Sequence, residues 1–283
     1  MSGKIEHVTD TAFWIASLRA LESARPDAVF HDPLAAQLAG DKGRDIARSM
    51  STFGLIAFTV TQRTTALDRL ILQAIDSGVD TVLNLGAGLD TRPYRMPLPA
   101  SLRWVEADFP SMIELKERRL GGERPVCALE RVALDLSVRA ERRALLERVA
   151  QQASGVLLLT EGVIPYLPDD EVGRLADDVQ AEPKFRYWAQ EYYGIEARRH
   201  RGRVRKNMQA APFVFMAPDW FGFFEQHGFV RTTTISMREE ALRNGRKPPL
   251  LTPVRPLMWN LGPKFREKAD LILGYALLEP RRS

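Results

Sequence analysis

The spacing of apolar and polar positions changes character near residue 78. Before it, apolar residues recur with helical spacing. In 11–23 (TAFWIASLRALES), Phe13, Ile15, Ala16, Ala20 and Leu21 gather near one face, Asp10 or Thr11 stands where a cap belongs, and Pro26 ends the segment. Asp32-Pro33 predicts the next helix start, with Asp32 as N-cap and Pro33 in the first turn. A third helix is predicted over 51–77, closed by Gly78. Beyond it, short apolar runs predict strands at 81–85, 104–108, 131–135, 155–160, 185–192, 229–236 and 271–278. Helical stretches at 111–120, 138–152, 169–181 and 220–227 separate them. Strand, helix, strand at this spacing predicts a parallel sheet with crossover helices. The stretch 238–265 is rich in Pro, Gly and basic residues and reads as an insertion. The expected organisation is an N-terminal helical cap, 1–78, lying as a lid within the same domain as a core over 79–283.

Composition narrows the classes. The 283 residues are 45% hydrophobic and 27% charged, which suits a globular chain with a sizeable core. Forty basic residues against 36 acidic ones leave a net charge of +4, weak grounds for an anionic partner. The single cysteine, Cys127, excludes a disulfide framework and a cysteine-rich metal site, and the four scattered histidines give no metal-ligand pair, so no metal is expected. The polar first residues lack a signal-peptide core, and no apolar stretch approaches the roughly 18 residues of a membrane span, so a cytoplasmic protein with no membrane partner is expected. The basic run 198–206 reads as a solvated face; it lacks the interleaved aromatics of a single-strand binder, so nucleic acid is not the expected partner.

The chemistry concentrates where predicted strands end. Asn84-Leu-Gly-Ala-Gly-Leu-Asp90 follows the first strand, where a parallel sheet binds ligands. Gly86 and Gly88, flanking Ala87, permit a tight turn and a close ligand approach. The second strand delivers Glu106 and Asp108; Asp108 lies 22 positions after Gly86, near the spacing of roughly 20 for an acid that accepts ribose hydroxyls. Spacing alone leaves open which acid does so. A dinucleotide fingerprint needs glycine where Thr91 stands, and Asp90-Thr-Arg-Pro93 opens no helix to meet a pyrophosphate. A nucleoside without a phosphate chain fits better, and a turn serving packing alone is the competing reading. Asp135, with Leu136 after it, suits an adenine amine and ring nitrogen, or else a helix N-cap. Glu161, after an apolar strand, suits a cationic partner such as a sulfonium or ammonium, or else solvent.

These motifs together resemble the leucine carboxyl methyltransferase family, in particular its bacterial polyketide-type O-methyltransferase branch. The resembling stretches run in order from Thr11-Ala-Phe-Trp through Phe30-His-Asp32-Pro33 and Gln62-Arg63-Thr64 to Leu83-Asn-Leu-Gly-Ala-Gly-Leu-Asp90-Thr-Arg92. Val105-Glu-Ala-Asp108, Leu134-Asp135-Leu136 and Thr160-Glu161-Gly-Val-Ile-Pro-Tyr166 continue them. The resemblance implies a class I methyltransferase fold, an α/β Rossmann-like sheet of seven mostly parallel strands with helices on both faces. It implies S-adenosylmethionine as methyl donor. Residue by residue, it implies that Arg63 binds the donor's carboxylate, Gly86 lines its turn, Asp108 holds the ribose, Asp135 and Leu136 bracket the adenine, and Glu161 closes the methionine end. Tyr166 is a candidate acceptor-side contact. The guanidinium of Arg63 has its own chemical sense as a carboxylate clamp, against pairing with Asp68 or solvent.

Methyl transfer needs alignment more than acid–base chemistry, and no residue stands out as a base. The expected function is O-methylation of a carboxylate or hydroxyl of a small molecule such as a polyketide-like acid. The alternatives are a nicotinamide-dependent oxidoreductase and a nucleic-acid-binding module built on 198–206.

Overall fold

The computed structural model describes residues 7, 9–49, 53–194, 212–249 and 270–282. The apolar runs TVLNL and VLLLT form β1 (Thr81–Leu85) and β4 (Val156–Thr160), buried at every position. Such unbroken burial belongs to strands covered on both faces. β2 (Arg103–Asp108), β3 (Ala128–Ala133), β5 (Phe185–Tyr193), β6 (Phe229–Ser236) and β7 (Leu273–Pro280) complete a seven-stranded sheet ordered β3-β2-β1-β4-β5-β7-β6. The pairings β1 with β2, β1 with β4, β2 with β3 and β4 with β5 are parallel. This is the class I methyltransferase sheet that the resemblance implies.

Register fixes what stands level at the strand ends. Leu85 pairs with Ala107 on one side and Thr160 on the other, and Thr160 pairs with Gln190. After β1 the chain adds β2 and β3 outward on one side, then returns to place β4 on the other. That reversal is the topological switch point, where open parallel sheets bind ligands.

Among the described residues the helices are α1 (Asp10–Ser23), α2 (Ala35–Ser49), α3 (Phe53–Asp76), α4 (Arg92–Arg95), α5 (Pro110–Leu120), α6 (Arg139–Gln151), α7 (Asp169–Gln180), α8 (Trp220–Gln226) and α9 (Met237–Arg243). Two of them correct the sequence reading. α4 forms one turn right after the glycine loop, where no helix was expected; at four residues it offers no pyrophosphate seat. α9 occupies the start of 238–265, opened by Ser236, whose side chain accepts from Glu239 N; residues 250–265 lie outside the described part.

Contacts divide the chain into two compact units, Met1–Leu67 with Tyr192–Ala210 and Thr234–Tyr275, and Asp68–Glu191 with Ala211–Thr233 and Ala276–Ser283. The sequence sets a boundary at 78; the contacts set it inside α3. In the first unit α2 crosses α1 so closely that a Cβ on Gly43 would lie 2.4 Å from Phe13 O. Asp32 stands three residues before α2, and its backbone O accepts from Ala35 N at 3.3 Å. Its carboxylate is buried against Arg19 Nε at 2.8 Å, which ties the entry of α2 to α1. Glu22 of α1, also buried, accepts from Val29 N at 3.0 Å and from Arg246 Nη2 at 2.7 Å. In the second unit the sheet packs on aromatic groups: Trp188 meets Phe224 and Phe229 edge-on at 5.2 and 5.4 Å. Among the described residues no helix is long and apolar enough to cross a membrane.

Candidate functional site

The turn after β1 is built from backbone conformations that favour glycine. Gly86 has φ 67° and Gly88 φ 47°. A Cβ on Gly86 would lie 2.4 Å from Val163 Cγ2, so a larger residue would push the turn off the loop after β4. Asp108, at the end of β2, fastens the turn. Its Oδ2 accepts from Gly88 N at 2.6 Å and its Oδ1 from Phe109 N at 2.7 Å. Burial pushes the Asp108 carboxyl above the ordinary range, against the opposing pull of those two N–H groups.

Glu106 lies two residues earlier on the same face, and its oxygens serve the fold. Lys116 Nζ reaches Oε1 at 2.7 Å, with both side chains fully buried, and Arg131 Nε reaches Oε2 at 3.1 Å. Of the two acids, Asp108 is the one that stands at the glycine turn.

A buried guanidinium stands behind the turn. Arg92, on α4, is 3% exposed. Its Nε lies 2.7 Å from Asp68, and its Nη1 lies 3.0 Å from Asp90 and 2.9 Å from Glu161. Arg95 binds both oxygens of Asp68 at 2.6 and 2.8 Å. Burial pushes Asp68 up, but the Arg95 and Arg92 charges outweigh it and hold the carboxyl below the ordinary range. Burial works against the Arg92 charge, and Asp90, Glu161 and Asp68 together overcome it. Asn84 Nδ2 donates to Asp90 Oδ2 at 2.9 Å, while Asn84 Oδ1 is buried with no hydrogen-bond partner.

Past β3, Asp135 stands two residues beyond the strand, which begins three residues and ends two residues earlier than its predicted bounds. Its Oδ1 accepts from Ser137 N at 2.9 Å and Ser137 Oγ at 2.8 Å. The N-cap of α6 is Val138, so Asp135 closes a turn rather than capping a helix. Leu136 Cδ1 would lie 3.9 Å from a Cβ on Gly86, which sets Leu136 beside the glycine turn.

After β4, Glu161 is half-buried against Arg92 rather than in solvent. Gly162 turns with φ 71° and donates to Glu191 Oε1 at 2.9 Å. A single 3-10 turn, Ile164–Tyr166, follows, and Pro165 O accepts from Val214 N at 2.7 Å. The Tyr166 ring packs edge-on against Phe213 with centroids 4.9 Å apart.

The second unit thus gathers Gly86, Ala87, Gly88, Asp90, Asp108, Asp135, Leu136 and Glu161 at neighbouring strand ends. Arg63 belongs to the other unit. It is half-buried on α3, with Nε donating to Tyr275 Oη at 3.1 Å, and its sequence-level alternative partner, Asp68, is taken by Arg92 and Arg95. The run 198–206 lies outside the described residues. Sequence reasoning passed over Arg92 and Glu191 as site residues. The signal for Glu191 was present: a polar Gln190-Glu191 pair near the end of an aromatic strand, the same pattern used at β2 and β4.

Asp108, Asp135, Glu161 and Asn84 Oδ1 place hydrogen-bond acceptors around these strand ends. Comparison with known proteins identifies the family. The family described as leucine carboxyl methyltransferase matches residues 12–180. A Frankia alni protein named "Putative S-adenosyl-L-methionine-dependent methyltransferase" is 31% identical over 273 residues, 89% of this chain and 92% of its own. A Streptomyces coelicolor protein of the same description is 35% identical over 186 residues, which span 61% of this chain and 66% of that relative, just under two thirds of its length. Two solved structures share the fold: a DUF574 family protein from Streptomyces avermitilis (TM-score 0.58, 15% identity, 94% of this chain and 96% of that one) and a protein from Thermobifida fusca (TM-score 0.54, 17% identity, 95% of each). The nicotinamide reading finds no place in this kinship. The chain belongs to the leucine carboxyl methyltransferase family and is an S-adenosylmethionine-dependent methyltransferase.

Proposed function

We propose that this methyltransferase acts on an oxygen of a small molecule, a carboxylate or hydroxyl such as that of a polyketide-like acid. The carrying observation is that the acids gathered at the turn are already engaged. Arg92 holds Asp90 and Glu161, and backbone N–H groups hold Asp108. The histidine of that unit, His227, faces Asp177 at 2.7 Å. Groups so committed orient a ligand rather than carry protons. An acceptor that arrives ionised suits them, and carboxylates are ionised near neutral pH. When bound, S-adenosylmethionine supplies an electrophilic methyl carbon and a thioether leaving group. The chain's part is then to fix the ribose through Asp108, the adenine through Asp135 and Leu136, and the methionine end through Glu161, leaving the acceptor oxygen in line with the methyl. The family resemblance gives the donor's carboxylate to Arg63.

The reading is tested by incubating the protein with methyl-labelled donor and a set of carboxylic acids and phenols, then treating the products with base. A methyl ester releases its label as methanol, whereas an aryl ether keeps it. Labelled product of either kind supports oxygen as the destination, and label found on nitrogen or carbon overturns it.

The turn makes its own prediction. Gly86→Ala combines a disfavoured φ with the approach to Val163. It is expected to weaken S-adenosylhomocysteine binding by at least ~10-fold and to cost ~1–3 kcal/mol of stability. Calorimetric titration and urea unfolding measure the two.

A further inference from the structure

A buried arginine holds the turn after β3. Arg142, on α6, is 1% exposed. Its Nη1 donates to Leu136 O at 2.7 Å. The same peptide unit is held from its other end, because Ser137 N donates to Asp135 Oδ1 at 2.9 Å. One bond fixes the carbonyl of the Leu136–Ser137 peptide. The other links its N–H to the carboxylate that the adenine reading assigns. Ser137 Oγ donates to the same oxygen, so Asp135 Oδ2 is the oxygen not engaged with Ser137.

The rest of Arg142 is poorly served. Its Nη1 stands 3.5 Å from Glu171 and its Nη2 3.5 Å from Asp178, and neither Nε nor Nη2 has a hydrogen-bond partner. Asp178 already has a bidentate partner in Arg139, at 3.1 and 2.7 Å. Burying a guanidinium with unused donors costs free energy, and an apolar side chain of similar volume often fills such a place without loss. Stability alone therefore does not account for an arginine here. Its one short bond goes to the adenine-side turn.

We propose that Arg142 is a positioning residue for adenine recognition, holding the Leu136–Ser137 peptide so that Asp135 Oδ2 meets the exocyclic amine. The proposal rests on the reading that Asp135 receives the adenine, and the test separates the two. S-inosylhomocysteine carries a carbonyl where S-adenosylhomocysteine carries the amine. Both are titrated into the wild-type protein, Arg142→Met, Arg142→Lys and Asp135→Asn, with thermal unfolding as the check on folding.

The wild type is expected to prefer the adenosyl ligand by ~10–100-fold, the worth of a hydrogen bond to a charged group. Arg142→Met is expected to fold and to reduce that preference at least ~5-fold, through lost adenosyl affinity, while binding of the inosyl ligand changes by less than ~2-fold. Arg142→Lys keeps the charge but not the fork, and is expected to fall between them. Should the methionine variant not fold, the lysine variant decides. An unchanged preference in the folded Arg142 variant overturns the proposal. If Asp135→Asn also keeps the preference, the adenine reading of Asp135 falls with it. If Asp135→Asn abolishes the preference and the Arg142 variant does not, Asp135 stands and Arg142 alone is refuted.

Discussion

Arg92→Met is expected to destabilise the protein by ~3–5 kcal/mol, the cost of removing one partner from a buried ion cluster. The wild-type guanidinium lies within 3.0 Å of Asp68, Asp90 and Glu161. Methionine replaces its bulk and none of its donors. Asp68 keeps Arg95, and Asp90 keeps Asn84 and the backbone N–H of residue 92, but both Asp90 and Glu161 lose their cation at this centre. Urea unfolding reads the loss, and titration with S-adenosylhomocysteine is expected to show weakened binding in the folded variant because Glu161 has lost its contact with Arg92. Arg92→Lys restores charge without the fork that spans the carboxylates and is expected to recover part of the loss.

The part of this molecule that was legible in the sequence is the part written locally. The runs 81–85 and 229–236 are strands with those bounds, and 104–108 and 155–160 are right to one residue. β3 is the instructive miss. Arg131-Val-Ala-Leu-Asp135 carries the apolar signal, yet the strand is Ala128–Ala133, at the sheet edge with exposed or half-buried positions. An edge strand needs little hydrophobicity, and the apolar Leu134 belongs to the loop beyond it. β7 shifts for a related reason: Leu271 and Ile272 extend the apolar run but are exposed and precede the strand.

The site divides along the same line. Glycine turns and acids at strand ends are local features, and they led to Gly86, Asp108 and Glu161. The network that holds them is not local. Arg92 finds partners 24 and 69 residues away, and Arg63 finds Tyr275 at a separation of 212. No periodicity encodes such pairings, and the nearby acid Asp68, five positions after Arg63, binds Arg92 and Arg95 instead. Asp135 shows the two levels coexisting: the carboxylate first read as either a cap or an adenine contact closes a turn with one oxygen and retains the other.

Asp108→Asn is expected to weaken S-adenosylhomocysteine binding ~100-fold or more, since it disturbs two charge-assisted hydrogen bonds to a diol at once. The carboxylate accepts one backbone N–H at each oxygen, from Gly88 and from Phe109. Asparagine has one acceptor atom, so its amide nitrogen must face one of those N–H groups. The substitution therefore strains the turn as well as weakening the ribose contact. The acid's titration offers a second measurement. Burial raises the Asp108 carboxyl above its ordinary 3.8, and a ligand that donates two hydroxyl protons binds the ionised form. Affinity is then level above the raised pKa and falls about tenfold per pH unit below it. The fall begins at a higher pH than an ordinary aspartate would give, and it is absent in Asp108→Asn. Glu106→Gln provides the contrast. It breaks the buried pairing with Lys116 and Arg131 and is expected to lower the urea midpoint, while the folded variant keeps its donor affinity. If instead Glu106→Gln abolishes binding and Asp108→Asn leaves both the affinity and its acid limb intact, the ribose contact belongs to Glu106 and the geometry of the turn has been misread.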